Sequence, residues 1–429
     1  MVLGQGHGPL RYRRSLCTRG SAQHAGKPLM GSSDLRTQVL VVGAGPVGLM
    51  AALRLRQRGI DVRVVDRQSE PRGRSFPAVL HAQTLRLLSE LGLAPALFCR
   101  GHSVARLAVY AEHQRRAVLD LPKVSGTDGG LLTLPQDALS TALIDELAEA
   151  GVAIEWSTRL SALQQDAGGA RGQLLHGPST KGKDSGGAGV STFEAAFVIG
   201  ADGYDSTVRH ALGIELIEQG PLQTFAFFDS AHYGAGSEAQ LCISDDFVNS
   251  VYPLQGQLSR FTFQLGRALD LEPDSSALGE LVLARMPWYP VDVAAFEWGG
   301  VVEFRRALAT RFGLGRVWLV GDAAHLTGPL GVQSLNVGLD EASELAQLLA
   351  DALERASGAD LEATFGAKRS QQWRGLLGLA ERAALEARSP KWARRHAATL
   401  ISCLPAADAD LDSLLAQLRL TPVAARRTA

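Results

Sequence analysis

The chain has 429 residues, 46% hydrophobic and 20% charged, enough for a large core in one domain or two interleaved ones. A formal net charge of −1 gives no reason to expect nucleic acid or an anionic membrane surface as a partner. The cysteines, Cys17, Cys99, Cys242 and Cys403, stand far apart with no CxxC or His/Cys cluster. No zinc site or disulfide scaffold is expected, and the setting reads as reducing and cytoplasmic.

Residues 1–33 carry Arg11, Arg13, Arg14, Arg19 and Lys27, no acidic residue and no hydrophobic period. They read as a disordered tail, or as a start placed ahead of a working Met30. An Arg-rich, acid-poor transit peptide has the same composition. No apolar stretch reaches the ~20 residues a membrane-spanning helix needs, so no integral membrane segment is expected.

From residue 37 the pattern changes. "TQVLVV" (37–42) is a short buried strand, followed at once by Gly43, Gly45 and Gly48 in G-x-G-x-x-G spacing. Pro46 to Arg58 has helical spacing, and "DVRVVDR" (61–67) is a second β-branched strand ending on Asp66. In such a βαβ unit the first glycine makes the turn and the second lets the backbone approach a pyrophosphate. The third lets the helix pack on the strand, and the acid meets a ribose hydroxyl. The anion sits on the helix N-terminus, where free N–H groups and the dipole favour it.

Residues 68–120 read as helix and strands, and "LPQDALSTAL" (134–143) holds Gln136. The glycine-rich stretch 164–191 reads as a flexible, polar hairpin connection. Two more strands run into glycine-bearing turns: "FVIGADGYDSTVR" (197–209) and "RVWLVGDAAHLTGPLGVQSLNVGLDEA" (316–342). Between them, residues 215–305 alternate like strands. Their aromatics Phe225, Phe227, Phe228, Tyr252, Phe261 and Phe263 are candidates for a pocket, though core packing is expected for most. A helix is expected from about 337, continuing to 388. Three strand ends from distant parts of the chain thus offer loops, each with an aspartate, to one extended dinucleotide.

These three motifs resemble the FAD-dependent class A flavoprotein monooxygenases, typified by para-hydroxybenzoate hydroxylase, over about residues 37–390. The resemblance implies an α/β fold: a Rossmann-like FAD-binding domain of the glutathione-reductase type, an interleaved β-sheet substrate domain and C-terminal helices. It divides the chain into an FAD-binding domain in three parts (34–110, 136–214, 306–355), substrate-domain strands (111–135, 215–305) and a C-terminal helical region (356–429). It implies that Gly43, Gly45, Pro46 and Gly48 hold the FAD pyrophosphate. Asp66, with Arg67 beside it, would bind the adenosine ribose. Asp202 and Gly203, followed by Arg209, would serve FAD and NAD(P)H, and Asp322, after Gly321, the ribityl chain. Pro329, Gly331, Ser334, and the backbone N–H groups of Leu335 and Asn336 would flank the flavin ring, with Gln136 as a further contact.

The chain departs from the family pattern in three places. Phe76 stands where many members have an arginine, leaving Arg74 to take that role or FAD to bind more weakly. Ser334 replaces a common glycine, and Glu341 a common aspartate. The resemblance implies reduction of FAD by NADPH or NADH and O2 addition to give a flavin C4a-hydroperoxide. An aromatic, polyketide-like or related small molecule would then be hydroxylated, with no covalent protein nucleophile.

Other constellations are weaker. No G-x-S-x-G elbow occurs. His325 reads as an orienting residue, not as a metal ligand, and Asp245-Asp246 reads as a loop face. The alternative functions are an FAD-dependent reductase or dehydrogenase of the same fold and a non-catalytic FAD-binding module; the halogenase signature W-x-W-x-I-P is absent.

Overall fold

The run Arg36–Val42 forms strand β1, with Val39, Leu40 and Val41 fully buried, as suits a strand covered on both faces. Gly43 turns the chain, and Pro46 opens helix α1 (Pro46–Gln57), where its missing N–H is no loss. Strand β2 (Val62–Val65) then pairs parallel to β1. This computed structural model describes residues 36–71, 77–125, 130–177, 189–231, 236–266, 271–355, 360–379 and 389–420. Residues 1–33, Arg74 and Phe76 therefore lie outside the described residues.

Among these residues, β1 sits inside an eight-stranded sheet. Its parallel neighbours are β2 on one side and Gly189–Gly200 on the other, and Val317–Leu319 pairs parallel beyond that. Register matters most at the carboxyl ends. Val42 lies opposite both Val65 and Gly200, and Gly200 lies opposite Leu319. Four strands from residues 36 to 319 thus end at one level, and ligands of open α/β sheets bind in the crevice outside such ends.

A seven-stranded sheet is built from residues 106–120 and 223–304. Alternation divides its aromatics between two faces. Phe228, Phe261 and Phe263 pack with Leu278, Val282 and Met286 on the side of the helix Ser275–Arg285. Phe225, Phe227 and Tyr252 belong to the core shared with the first sheet. The strand Leu131–Pro135 pairs instead with Pro77–Leu80 and His102–Val104 in a separate small sheet.

Two local expectations are corrected. The stretch 164–191 read as a flexible hairpin connection does contain a hairpin, but a regular one: Thr158–Asp166 and Gly169–His176 pair antiparallel and join Gly189–Gly200, while 178–188 lies outside the described residues. Its outer strand is largely exposed, so no apolar alternation announced it. The long helix starts at Gln333, four residues earlier than its apolar stripe suggested, and runs to Arg355. Among the described residues no helix is long and apolar enough to cross a membrane.

Candidate functional site

At the level where the strands end, three loops meet. Gly43 donates its N–H to Val65 O (2.8 Å), and Ala201 donates to Val42 O (2.8 Å), so the first two loops are stitched to the strands beside them. A Cβ on Gly48 would fall 2.0 Å from Gly43 O, so α1 starts hard against its own loop. Gly45 differs: a Cβ there would meet nothing within 4 Å, and the same holds at Gly203. These two positions open onto free space at the helix N-terminus and the second loop. Asp66 accepts hydrogen bonds from Ala44 N (2.7 Å) and Gln68 N (2.8 Å), which orient its half-buried carboxylate. Arg67 is exposed, 3.9 Å from Asp205 of the second loop. An open cradle at a helix N-terminus, an oriented carboxylate and two further loops fit an extended dinucleotide such as FAD.

Asp202 is turned toward its own loop. It accepts from Ser206 Oγ (2.5 Å) and Val208 N (3.2 Å), and burial lifts its carboxyl above the ordinary value despite these bonds. Arg209 is buried and donates to Tyr204 O (2.9 Å) and Ala323 O (3.0 Å), clamping the second loop to the third.

The third loop has more partners than its motif suggested. Asp322 is exposed and accepts from Ser334 Oγ at 2.8 Å. Behind it, His325 Nε2 meets Glu341 Oε2 at 2.8 Å, and the same oxygen accepts from Gly321 N (3.1 Å). Glu341 Oε1 accepts from Trp373 Nε1 (2.5 Å), and the Trp373 ring stacks on His325 with centroids 3.7 Å apart. Burial alone would raise the Glu341 carboxyl. His325, the Arg369 guanidinium and the Trp373 N–H together hold it below the usual value.

The long helix brings its N-terminus to the same place. Leu335 and Asn336 lie in its first turn, where backbone N–H groups have no intrahelical acceptor and the helix end is positive. The Asn336 side chain is fully engaged: Oδ1 accepts from His81 N and Thr84 Oγ1, and Nδ2 donates to Val79 O and Val332 O. Val332 holds φ +48°, which is unusual for a β-branched residue and costs about 1–3 kcal/mol. Gln333 Nε2 donates to Ile401 O (3.1 Å), tying the loop to the C-terminal helix Ala397–Cys403. Pro329 and Gly331 lie in this loop. A Cβ on Gly328 beside them would fall 3.1 Å from Gln223 Oε1 and 3.9 Å from the Phe225 ring, so the loop faces the seven-stranded sheet.

His81, which no sequence motif marked, closes the loop from behind. Its Nε2 meets Gly331 O at 2.9 Å, and burial lowers its pKa from 6.5 to about 3. The ring is therefore neutral and donates to that carbonyl. A histidine with a depressed folded pKa contributes stability that is present above 6.5 and lost as pH falls toward 3, by about 1.4 kcal/mol per unit within that window. The difference in unfolding free energy between wild type and His81→Gln should therefore shrink as pH drops from 6.5 to 4; parallel curves would show that His81 does not titrate this way.

The structure thus brings together Gly43, Gly45, Pro46, Gly48, Asp66, Asp202, Gly321, Asp322, Ser334, Leu335 and Asn336. Gln136 begins the helix Gln136–Glu149, half-buried. Beside the second loop a groove of about 560 Å³ is lined by Tyr204, Arg209, His210, Ile217 and Arg305 among others.

The profile of the FAD binding domain family matches residues 36–378. The chain is similar to 6-methylpretetramide 4-monooxygenase of Streptomyces rimosus, 31% identical over 342 residues, covering 77% of this chain and 59% of the relative. It is also similar to pentachlorophenol 4-monooxygenase of Sphingobium chlorophenolicum, 30% identical over 356 residues, 79% of this chain and 63% of the relative. The chain thus spans about three fifths of the length of these curated relatives. Among solved structures, p-nitrophenol 4-monooxygenase from Pseudomonas putida shares the fold at TM-score 0.66, 22% identity, 90% of this chain and 94% of that one. Anhydrotetracycline hydroxylase from Streptomyces rimosus matches at TM-score 0.61 and 26% identity, over 90% and 72% of the two chains. With its three strand-end loops gathered at one crevice, the chain belongs to the FAD binding domain family.

Proposed function

We propose that the protein is an FAD-dependent monooxygenase that uses NADPH or NADH and O2 to hydroxylate an aromatic, polyketide-like or related small molecule. The observation that carries this reading is the loop 327–332. It bears the N-terminus of the long helix on one side and faces Gln223 and Phe225 of the seven-stranded sheet on the other. FAD bound here would supply the redox chemistry, taking electrons from the nicotinamide and passing one oxygen atom of O2 to the substrate. The protein's part is to bind, orient and exclude water. Gly45 lets backbone approach the pyrophosphate, Asp66 and Asp322 accept sugar and ribityl hydroxyls, and the helix N-terminus stabilises negative charge gained on reduction. Phe225, whose ring lies beside Gly328 of this loop, gives the sheet side an apolar surface that would help to exclude water. Names of the relatives, a chlorinated phenol and a pretetramide polyketide, support the substrate class. The groove beside the second loop, lined by Arg209, His210 and an Arg305 that is paired with Glu218, is the surface on which the nicotinamide nucleotide would dock. A cytoplasmic site of action fits the free thiols of Cys99, Cys242 and Cys403.

The deciding experiment is anaerobic reduction of the holoprotein by NADPH and NADH across a panel of phenols and polyketides. Reduction of the yellow protein, quickened by some member of the panel, is expected, with hydroxylated product once O2 is admitted. Flavin that stays oxidised throughout would sink the reading and favour a reductase fed by another donor or a non-catalytic module. Asp322→Ala should separately weaken FAD binding by roughly tenfold or more, because the loss of a charged acceptor is worth about 1.5–3 kcal/mol; unchanged affinity would show that Asp322 does not hold the ribityl chain.

A further inference from the structure

Two positions at which the chain departs from the family pattern, Ser334 and Glu341, lie seven residues apart on the long helix. That spacing is close to two turns, so both side chains leave the same face. The same imidazole lies against both. His325 Nε2 meets Glu341 Oε2 at 2.8 Å, and His325 Nδ1 stands 3.4 Å from Ser334 Oγ. Ser334 Oγ in turn donates to Asp322 Oδ1 at 2.8 Å. The chain of contacts therefore runs from the exposed Asp322 through Ser334 and His325 to a carboxylate with no solvent exposure at all.

The far end of this chain is fixed from several sides. Glu341 also accepts from Gly321 N and Trp373 Nε1, and Trp373 stacks on the imidazole at an interplanar angle of 19°. Arg369, buried beside them, pairs with Asp340 at 2.8 Å and with Glu344. The imidazole has no freedom to tilt away. The near end is a single exposed carboxylate whose orientation would otherwise be set by solvent. A serine hydroxyl can hold one of its oxygens, leaving the other to face the cleft; a glycine at 334 cannot.

We propose that Ser334 and Glu341 form one positioning device, joined through His325, that holds the Asp322 carboxylate in the orientation that accepts the ribityl hydroxyls of FAD. The inference rests on the reading of this crevice as the FAD site. Glu341 sets where the imidazole stands, the imidazole backs the serine hydroxyl, and the hydroxyl orients the aspartate. An aspartate at 341 is one methylene shorter. It cannot reach Gly321 N, His325 and Trp373 together unless the ring is drawn away from Ser334.

The test follows FAD release from holoprotein by the recovery of flavin fluorescence, beside thermal unfolding of the same samples. Ser334→Gly should raise the FAD dissociation constant about five- to tenfold, the worth of one net hydrogen bond, with little change in apoprotein melting temperature. Ser334→Thr, which keeps the hydroxyl, should restore wild-type affinity. Glu341→Asp should weaken FAD to a similar degree. The double variant Ser334→Gly/Glu341→Asp should be no weaker than the worse single one, because both break the same link. Multiplicative losses in the double variant, or Ser334→Gly binding FAD as tightly as wild type, would overturn the proposal. If Glu341→Asp does not fold, the Gly and Thr variants at 334 still decide: equal affinity in the two overturns it. Wild-type protein that binds no FAD would instead count against the site itself, so the two failures are distinguishable.

Discussion

Gly43→Ala and Gly45→Ala, two residues apart in one loop, are expected to fail in different ways. Gly43 holds φ +111°, and a Cβ there would lie 2.2 Å from Ala201 O, a backbone atom of a residue whose own N–H is held by Val42 O. Neither the strain nor the clash can be relieved by turning a side chain. The variant should lose several kcal/mol of stability and, with it, the second loop's place beside the first. Gly45 has φ −72°, open to any residue, and a Cβ there meets nothing within 4 Å. Its apoprotein should stay within about 1 kcal/mol of wild type, the range of a glycine-to-alanine change at a helix N-cap. The added methyl instead occupies the space through which a pyrophosphate reaches the backbone, so FAD content should collapse. Melting temperature and bound flavin, measured on both variants, separate the two roles. A Gly45→Ala protein that purifies with a full complement of FAD would falsify the assignment of this loop to the pyrophosphate.

That contrast also shows where the sequence was legible. The glycine spacing sits between a run of β-branched residues and a helical stripe, and the switch of period from 2 to 3.6 marks a βαβ unit whatever the ligand. Asp202 and Asp322 could be picked out as candidates because each stands in a glycine-bearing turn just after a strand. What could not be read was pairing across the chain. Trp373 lies 32 residues from Glu341, and Arg209 lies 114 from Ala323, the partner that gives each its role. No period or composition links such positions. His81 is similar: a lone histidine beside a helix start gives no sign that it will sit under Gly331, 250 residues on. The helix start at Gln333 was missed for a local reason. Ser334 and Asn336 are residue types that favour turns, and here both spend their side chains on tertiary partners. The hairpin expected within 164–191 was read as flexible, and its strands at 158–176 were not foreseen, because a half-solvated strand pair rich in Gly and Gln lacks the alternation that a buried face imposes.

The largest loss of stability is expected at Glu341→Ala. The side chain has no solvent exposure, yet three donors converge on it: Gly321 N–H, the His325 imidazole and Trp373 Nε1–H, with the Arg369 charge beside them. Alanine leaves those groups without an acceptor in a place water does not readily reach, and removing one partner from a buried charged set costs about 3–5 kcal/mol. Glu341→Gln should cost less, because it keeps the shape and one acceptor oxygen but turns an NH2 toward a donor. The pH dependence gives an independent check. Glu341 is held below the ordinary glutamate value of 4.5, so its contribution is present above that pH and is lost as pH falls through the lower folded value. Wild type and Glu341→Gln should therefore differ most near neutrality and converge in acid. Unfolding free energies from denaturant titrations at pH 7 and at pH 4 or below measure both effects. An alanine variant within 1 kcal/mol of wild type at pH 7 would mean that solvent enters the cluster and satisfies its donors, and that Glu341 does not organise the third loop.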